Sequence, residues 1–175
     1  MRASDGSGAP LTHTGRAWTF GDDIDTDLLA PGAYMKGPIE QLAPHCLEAL
    51  DADFAHSVRP GDVLVAGDNL GIGSSREQAV HALKHLGIRV VLARSFGRIF
   101  YRNALNLGLP SLVCADLHAV RTGDELRVDM VSGVVENLST ARVHACEPIP
   151  PHLLEMVEDG GLLAHLEKRL RADKA

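Results

Sequence analysis

Three things are scarce in this chain. The first is cysteine: Cys46, Cys114 and Cys146 are scattered, odd in number, and form no C-x-x-C pair. That spacing argues against a disulfide framework and against a self-contained metal or iron–sulfur site. The three therefore read as buried or incidental thiols of a reducing cytoplasm. The second is positive charge: 17 Lys plus Arg face 23 Asp plus Glu, a formal net charge of −6. This balance argues against a general binder of nucleic acid or of membrane surfaces. A small anion remains compatible with it, since a few local arginines hold one inside an acidic protein. The third is a long apolar run, so no transmembrane helix is expected. The opening MRASDGSGAPLTHTG has one early positive charge and no apolar stretch, unlike a signal peptide. Residues 1–14 are expected to be a flexible lead-in and 15–175 a single domain. Hydrophobic residues make up 45% of the chain, enough for a core of ordinary size.

What is present is an alternation of short apolar runs with helical periodicity. Residues 15–20 (GRAWTF) mix aromatic and β-prone side chains and predict a first strand. An acidic loop spans 21–27, and 28–37 holds Pro31, Gly32 and Gly37, which predict irregular structure. From 38 to 50, Ile39, Leu42, Cys46, Leu47 and Leu50 recur at helical spacing and predict an amphipathic helix despite Pro44. Apolar runs at 62–66, 89–93 and 111–114 predict buried strands. Between them, one helix is predicted from a Ser74 or Ser75 cap to Gly87, with Ala79, Leu83 and Leu86 inside, and another over 97–107. Glu77 or Gln78 stands three residues after its serine, as a capping box requires. This order implies parallel pairing with right-handed crossovers. Runs at 125–129, 133–137 and 140–145 then predict a small extra β layer, and 153–157 and 162–170 two closing helical segments. The fold class is α/β, with a parallel βαβαβ core.

The stretch GDNLGIGSSRE (67–77) carries the chemistry. It follows a buried strand and opens a helix, where open α/β sheets bind ligands. Its glycines let the backbone approach a ligand, the helix N-terminus suits an anion, and Arg76 offers a planar fork for a carboxylate. A plain capped helix after a glycine turn explains the same residues with no ligand at all. Neither the Gly-x-Gly-x-x-Gly nor the Walker pattern is present.

Several blocks resemble, in order, the swivelling domain of the aconitase superfamily, in the form carried by isopropylmalate isomerase small subunits. GDNLGIGSSRE is similar to that family's G-x-N-F-G-x-G-S-S-R-E-H-A. FGDDIDTD (20–27) resembles its opening motif. RSFGRIFYRNALN (94–106), followed by Gly108, Leu109 and Pro110, resembles its second hallmark. GDELRVDMVSGVVEN (123–137) and Gly160-Gly161-Leu162 resemble its tail. The resemblance spans roughly residues 15 to 170.

The resemblance implies a layered β/β/α swivelling fold, aconitase C-terminal-like, with the parallel core and extra β layer already read. It implies a hydro-lyase that interconverts 2- and 3-isopropylmalate by dehydration and rehydration in leucine biosynthesis. In such enzymes a [4Fe-4S] cluster acts as a Lewis acid on the departing hydroxyl. This chain lacks the family's cluster cysteines, so the resemblance places the cluster on a larger partner subunit, in a heterodimer or heterotetramer, with no cofactor on this chain. It makes Ser74 the base and Arg76 the grip on a substrate carboxylate. Ser75 is a hydrogen-bond donor to that carboxylate, Gly73 part of the binding loop, and Asp27 the orienter of a basic group. The helix N-terminus, loop amides and guanidinium are what would let a serine act as a base. The 28–37 loop is implied to set substrate choice. Lys36 there either meets a carboxylate or is solvated, and Tyr34 and Met35 either shape an apolar pocket or anchor the loop.

The sequence departs from the family pattern at Leu70 (usually Phe), Gln78 (His), Val80 and His81 (Pro, Ile) and Gly97 (Ala). None of these touches Ser74 or Arg76, but they leave open a related malate homologue such as 2,3-dimethylmalate or homoaconitate. A non-catalytic RNA-binding or regulatory relative is a third reading, opposed by the negative charge. His81 and His85 have a zinc-like spacing, but Ala82 stands where the motif needs Glu, so they read as a solvated helix face. Arg94, Arg98 and Arg102 recur every four residues. Arg94 reads as part of a basic surface stripe, and the other two as facing substrate, partner or solvent.

Overall fold

The computed structural model describes residues 11–175. Strand β1 (Thr12–Thr19) pairs in parallel with β2 (Val63–Ala66), β2 with β3 (Val90–Ala93), and β3 with β4 (Ser111–Val113). β2 and β3 are buried at every residue, as strands covered on both faces must be, which is why they read as continuous apolar runs. On its other edge β1 pairs antiparallel with β5 (Glu125–Asp129), followed by β6 (Val134–Asn137) and β7 (Arg142–Ala145). The order is β4-β3-β2-β1-β5-β6-β7. The expected extra β layer is thus an antiparallel extension of the parallel sheet, hinged on the shared β1. That strand begins at Thr12, so 12–14 of the expected lead-in are sheet; residues 1–10 lie outside the described residues.

Strand alternation splits the core in two. Trp18, Leu64, Ala66, Val91 and Ala93 point to one side, where they meet Leu42, Phe54, Ala79 and Leu83. Ala17, Val63, Val65, Val90 and Leu92 point to the other and meet Leu126, Val128, Val135, Leu154 and Val157. The first layer holds α1 (Thr26–Leu29), α2 (Ile39–Leu42), α3 (Phe54–Ser57) and α4 (Glu77–Leu86); α5 (Arg98–Asn106) packs on α4. The chain closes with α6 (Pro151–Glu158) and α7 (Leu162–Asp173). Buried Asp62 anchors β1 to the first layer: its carboxylate accepts from Trp18 Nε1 at 2.8 Å, Arg16 at 3.0 Å and the Arg59 amide at 2.8 Å. This satisfies the polar groups that its burial would otherwise strand.

Four expectations are corrected. The helix expected over 38–50 breaks after α2 into a 3-10 turn, Ala43–His45, because Pro44 has no N–H to continue the ladder. Helix α4 starts at Glu77 with Arg76 at its N-cap and no side-chain cap, so neither Ser74 nor Ser75 caps it. Its other end is as expected, with Gly87 left-handed at φ 99°. The cysteines are not three idle thiols: Cys114, just past β4, and Cys146, just past β7, form an antiparallel bridge and a disulfide, Cα to Cα 4.1 Å. The sheet's curl brings these two strand ends together across 32 residues. Cys46 remains a free thiol, and complete burial pushes its pKa far up. Finally, Arg94 follows β3 in a loop and does not belong to a helical basic stripe. Its Nη2 donates to Asp68 at 2.6 Å and to Asp22 at 3.3 Å.

Candidate active site

The loop 67–76 is built as a continuation of β2 between its neighbours. Gly71 N donates to Ile24 O at 2.7 Å, and Thr26 N to Ile72 O at 2.9 Å, so Asp25 and Ile72 form a parallel bridge. On the opposite side Leu70 N donates to Ser95 O at 3.0 Å and Gly97 N to Leu70 O at 2.8 Å, bridging Leu70 to Phe96. Side chains tighten the same weave: the Asn69 amide side chain donates to Asp23 at 2.9 Å, and the Asn69 backbone N–H to Ser95 Oγ at 2.8 Å. The Asp68 amide, and then Arg94, hold the Asp22 carboxyl below its ordinary value. This bracing set of Asp22, Asp23, Asp68, Asn69 and Arg94 was not legible as a unit. Only the run of acids at 22–27 hinted at it.

Two glycines make the weave possible. Gly71 sits at φ 82°, with the Phe100 ring where a side chain would be. Gly73 sits at φ 111°, and a Cβ there would lie 3.1 Å from the Thr26 hydroxyl oxygen. A left-handed backbone at close quarters is the situation that selects glycine.

At the end of this loop Ser74 and Ser75 are exposed and Arg76 is half-buried, immediately ahead of α4. Asp25 caps α1 by accepting from Leu28 N at 2.8 Å, which turns Asp27 towards Arg76. Arg76 Nη1 donates to Asp27 Oδ1 at 2.8 Å and to Ala30 O at 2.9 Å. Gly32 N donates to the same Asp27 oxygen at 3.1 Å. The Arg76 bond, then the Gly32 bond, keep the Asp27 carboxyl below its ordinary value, so it is ionised at neutral pH. One guanidinium nitrogen is thus tied down, while Nη2 and Nε make no bond to a described residue. That free edge is the geometry a carboxylate takes up bidentately. Ser74 Oγ lies 3.2 Å from the hydroxyl of Thr26, a residue not singled out in the sequence.

Of the residues named beforehand, Asp27, Gly73, Ser74, Ser75 and Arg76 converge here. Lys36 does not: it is exposed on the next loop, two residues past the 3-10 turn Gly32–Tyr34, with no bond to a described residue. Tyr34 stacks on His45 with ring centroids 3.6 Å apart, so it anchors the loop. A separate cleft of about 330 Å³ lies at the ends of β1 to β3, walled by Phe20, Arg94, His118 and Arg121. Its guanidiniums are already engaged with Asp22, Asp68 and the His118 carbonyl, and Ser74 is not part of it. No helix among the described residues is long and apolar enough to cross a membrane.

Residues 30–116 of this α/β domain, which include the Ser-Ser-Arg turn on its rim, match the aconitase C-terminal domain family. Relatives along the whole domain are more specific. The chain is 46% identical over 156 residues to a 3-isopropylmalate dehydratase small subunit of Thermotoga maritima, covering 88% of this chain and 94% of that one. It is 46% identical over 157 residues to a methanogen homoaconitase small subunit of Methanothermobacter thermautotrophicus, covering 89% and 91%. A solved 3-isopropylmalate dehydratase from Methanocaldococcus jannaschii shares its fold with a TM-score of 0.87 at 40% identity, over 94% of this chain and 99% of that one. The chain belongs to the family of 3-isopropylmalate dehydratase small subunits within the aconitase superfamily.

Proposed function

We propose that this chain is the catalytic-loop subunit of a hydro-lyase that interconverts 2- and 3-isopropylmalate, and that Ser74 is its base. One observation carries this reading: a guanidinium held on one edge by Asp27 and Ala30 O, and open on the other, directly beside an exposed serine. Arg76 grips a substrate carboxylate with its open edge and Ser75 donates a further hydrogen bond. Each charge-assisted contact contributes about 1.5–3 kcal/mol. Ser74 removes the proton from the carbon beside that carboxylate. The N-terminus of α4 and the loop amides lower the cost of its alkoxide. Lys36 and the 28–37 loop face the variable part of the substrate. Since the homoaconitase relative is as similar as the isopropylmalate one, longer malate homologues belong in the same assay.

The described residues do not fit an iron–sulfur cluster. Two of the three cysteines are tied to each other and the third is sealed in the core, which leaves no thiolates for iron. A [4Fe-4S] cluster, which supplies Lewis acidity toward the leaving hydroxyl, is therefore assigned to a large partner subunit. The open rim points the same way. A serine base in bulk water lacks the low-dielectric surroundings that make fixed dipoles effective, so a second surface must close over it.

The test is reconstitution with a large subunit. Turnover is expected only from the pair. Ser74→Ala is expected to lower kcat by about two to four orders of magnitude while the subunits still co-elute. Turnover by the isolated chain, or an undiminished Ser74→Ala pair, would overturn the reading.

A further inference from the structure

We infer that Thr26 is a positioning residue for Ser74, donating a hydrogen bond from its buried hydroxyl to Ser74 Oγ and so stabilising the serine as its proton leaves. The inference rests on Ser74 being the base. Thr26 is 3% exposed, whereas Ser74 is open to solvent, and their oxygens are 3.2 Å apart. Ser74 Oγ is the one described partner of the Thr26 hydroxyl. A buried hydroxyl that did not donate there would leave its proton unpaired, whereas Ser74 can turn its own proton to water or substrate. The direction of the bond therefore follows from burial: Thr26 donates and Ser74 accepts.

Thr26 is also held rigidly. Its N–H donates to Ile72 O at 2.9 Å and its carbonyl accepts from Ala30 N at 2.8 Å, so both backbone groups are engaged. Its β-branched side chain has few rotamers. Gly73 has no side chain, which leaves room for Thr26 Oγ1 against the loop. A fixed donor aimed at an oxygen that becomes anionic favours the charged form, which lowers the serine pKa without any new contact to substrate.

The experiment uses the reconstituted large–small pair. Thr26→Val removes the hydroxyl at constant shape, Thr26→Ala removes it without adding a methyl, and Thr26→Ser keeps it. Thr26→Val is expected to lower kcat about ten- to hundredfold with KM within about twofold, and to move the rising limb of the pH–kcat profile up by about one to two pH units. Thr26→Ala should show the same signature, so a Val variant that fails to fold does not end the test. Thr26→Ser should recover kcat to within about threefold and return the limb. Wild-type kcat and limb in the variants without the hydroxyl, or a Thr26→Ser pair as impaired as they are, would refute the role. Lost kcat without a moved limb refutes it too. Ser74→Ala separates the two ideas. If it keeps its turnover the base reading itself fails; if it is inactive while Thr26→Val is normal, only the present inference falls.

Discussion

Replacing Gly71 by alanine should loosen the site and lower the melting temperature together. The residue stands at φ 82°, a conformation that costs an L-residue about 1–2 kcal/mol. A Cβ there would also run into Cβ and ring atoms of Phe100. Phe100 is 2% exposed and stacked beside Phe96, so it has nowhere to swing, and overpacking of this kind costs about 1–3 kcal/mol. Together these give a loss of about 2–5 kcal/mol. In a chain of this length each kcal/mol moves Tm by about 2–4 °C, so a fall of roughly 10 °C is expected. Because Gly71 N is bonded to Ile24 O, the strain reaches Thr26 and Ser74, and turnover of the reconstituted pair should drop as well. Gly21 is the control. It is not left-handed and nothing lies within 4 Å of a Cβ built on it, so Gly21→Ala should melt within about 2 °C of the parent. Calorimetric melts of both variants decide the matter. A Gly71→Ala protein that melts with the parent and keeps its turnover would refute the claim that this loop is packed against α5.

Two further outcomes follow from separate features. The Cys114–Cys146 disulfide closes a span of 32 residues, for which chain entropy gives about 3–4 kcal/mol. Reduction should therefore lower Tm by roughly 6–16 °C, and thiol titration of the denatured chain should rise from Cys46 alone to all three cysteines. An unchanged melt or count would show no such bond. The Asp27 carboxyl should titrate below 3.8 by NMR, because Arg76 and the Gly32 amide bond to its ionised form. A depressed carboxyl contributes order above its unfolded value and loses it as pH falls through the lower folded value. The Arg76 grip should accordingly be constant from pH 6 to 9 and fail only in acid. Arg76→Ala should return the midpoint toward 3.8; a midpoint that did not move would break the assigned link.

Periodicity and composition marked most of the elements. The apolar runs became β2, β3 and β4, Gly87 ended α4 where a left-handed residue was expected, and GDNLGIGSSRE fell at a strand-to-helix junction. These depend on neighbours within a turn or a pleat, and such information is local. The errors came where a local rule met a distant partner. Ser74 reads as a helix cap from its surroundings, yet its oxygen faces Thr26, 48 residues away. Arg94 reads as a surface stripe until β3 sets it beside Asp68.

The strand and helix periods, the acidic balance, and the Ser-Ser-Arg turn with its glycines can be read straight along the chain. That Asp27 meets Arg76 across 49 residues, that Cys114 meets Cys146, and that β1 serves both halves of the sheet emerge from the folded chain alone. The reason is physical: burial pattern is written residue by residue along the chain, whereas proximity is set by how twisted strands pair and in which order.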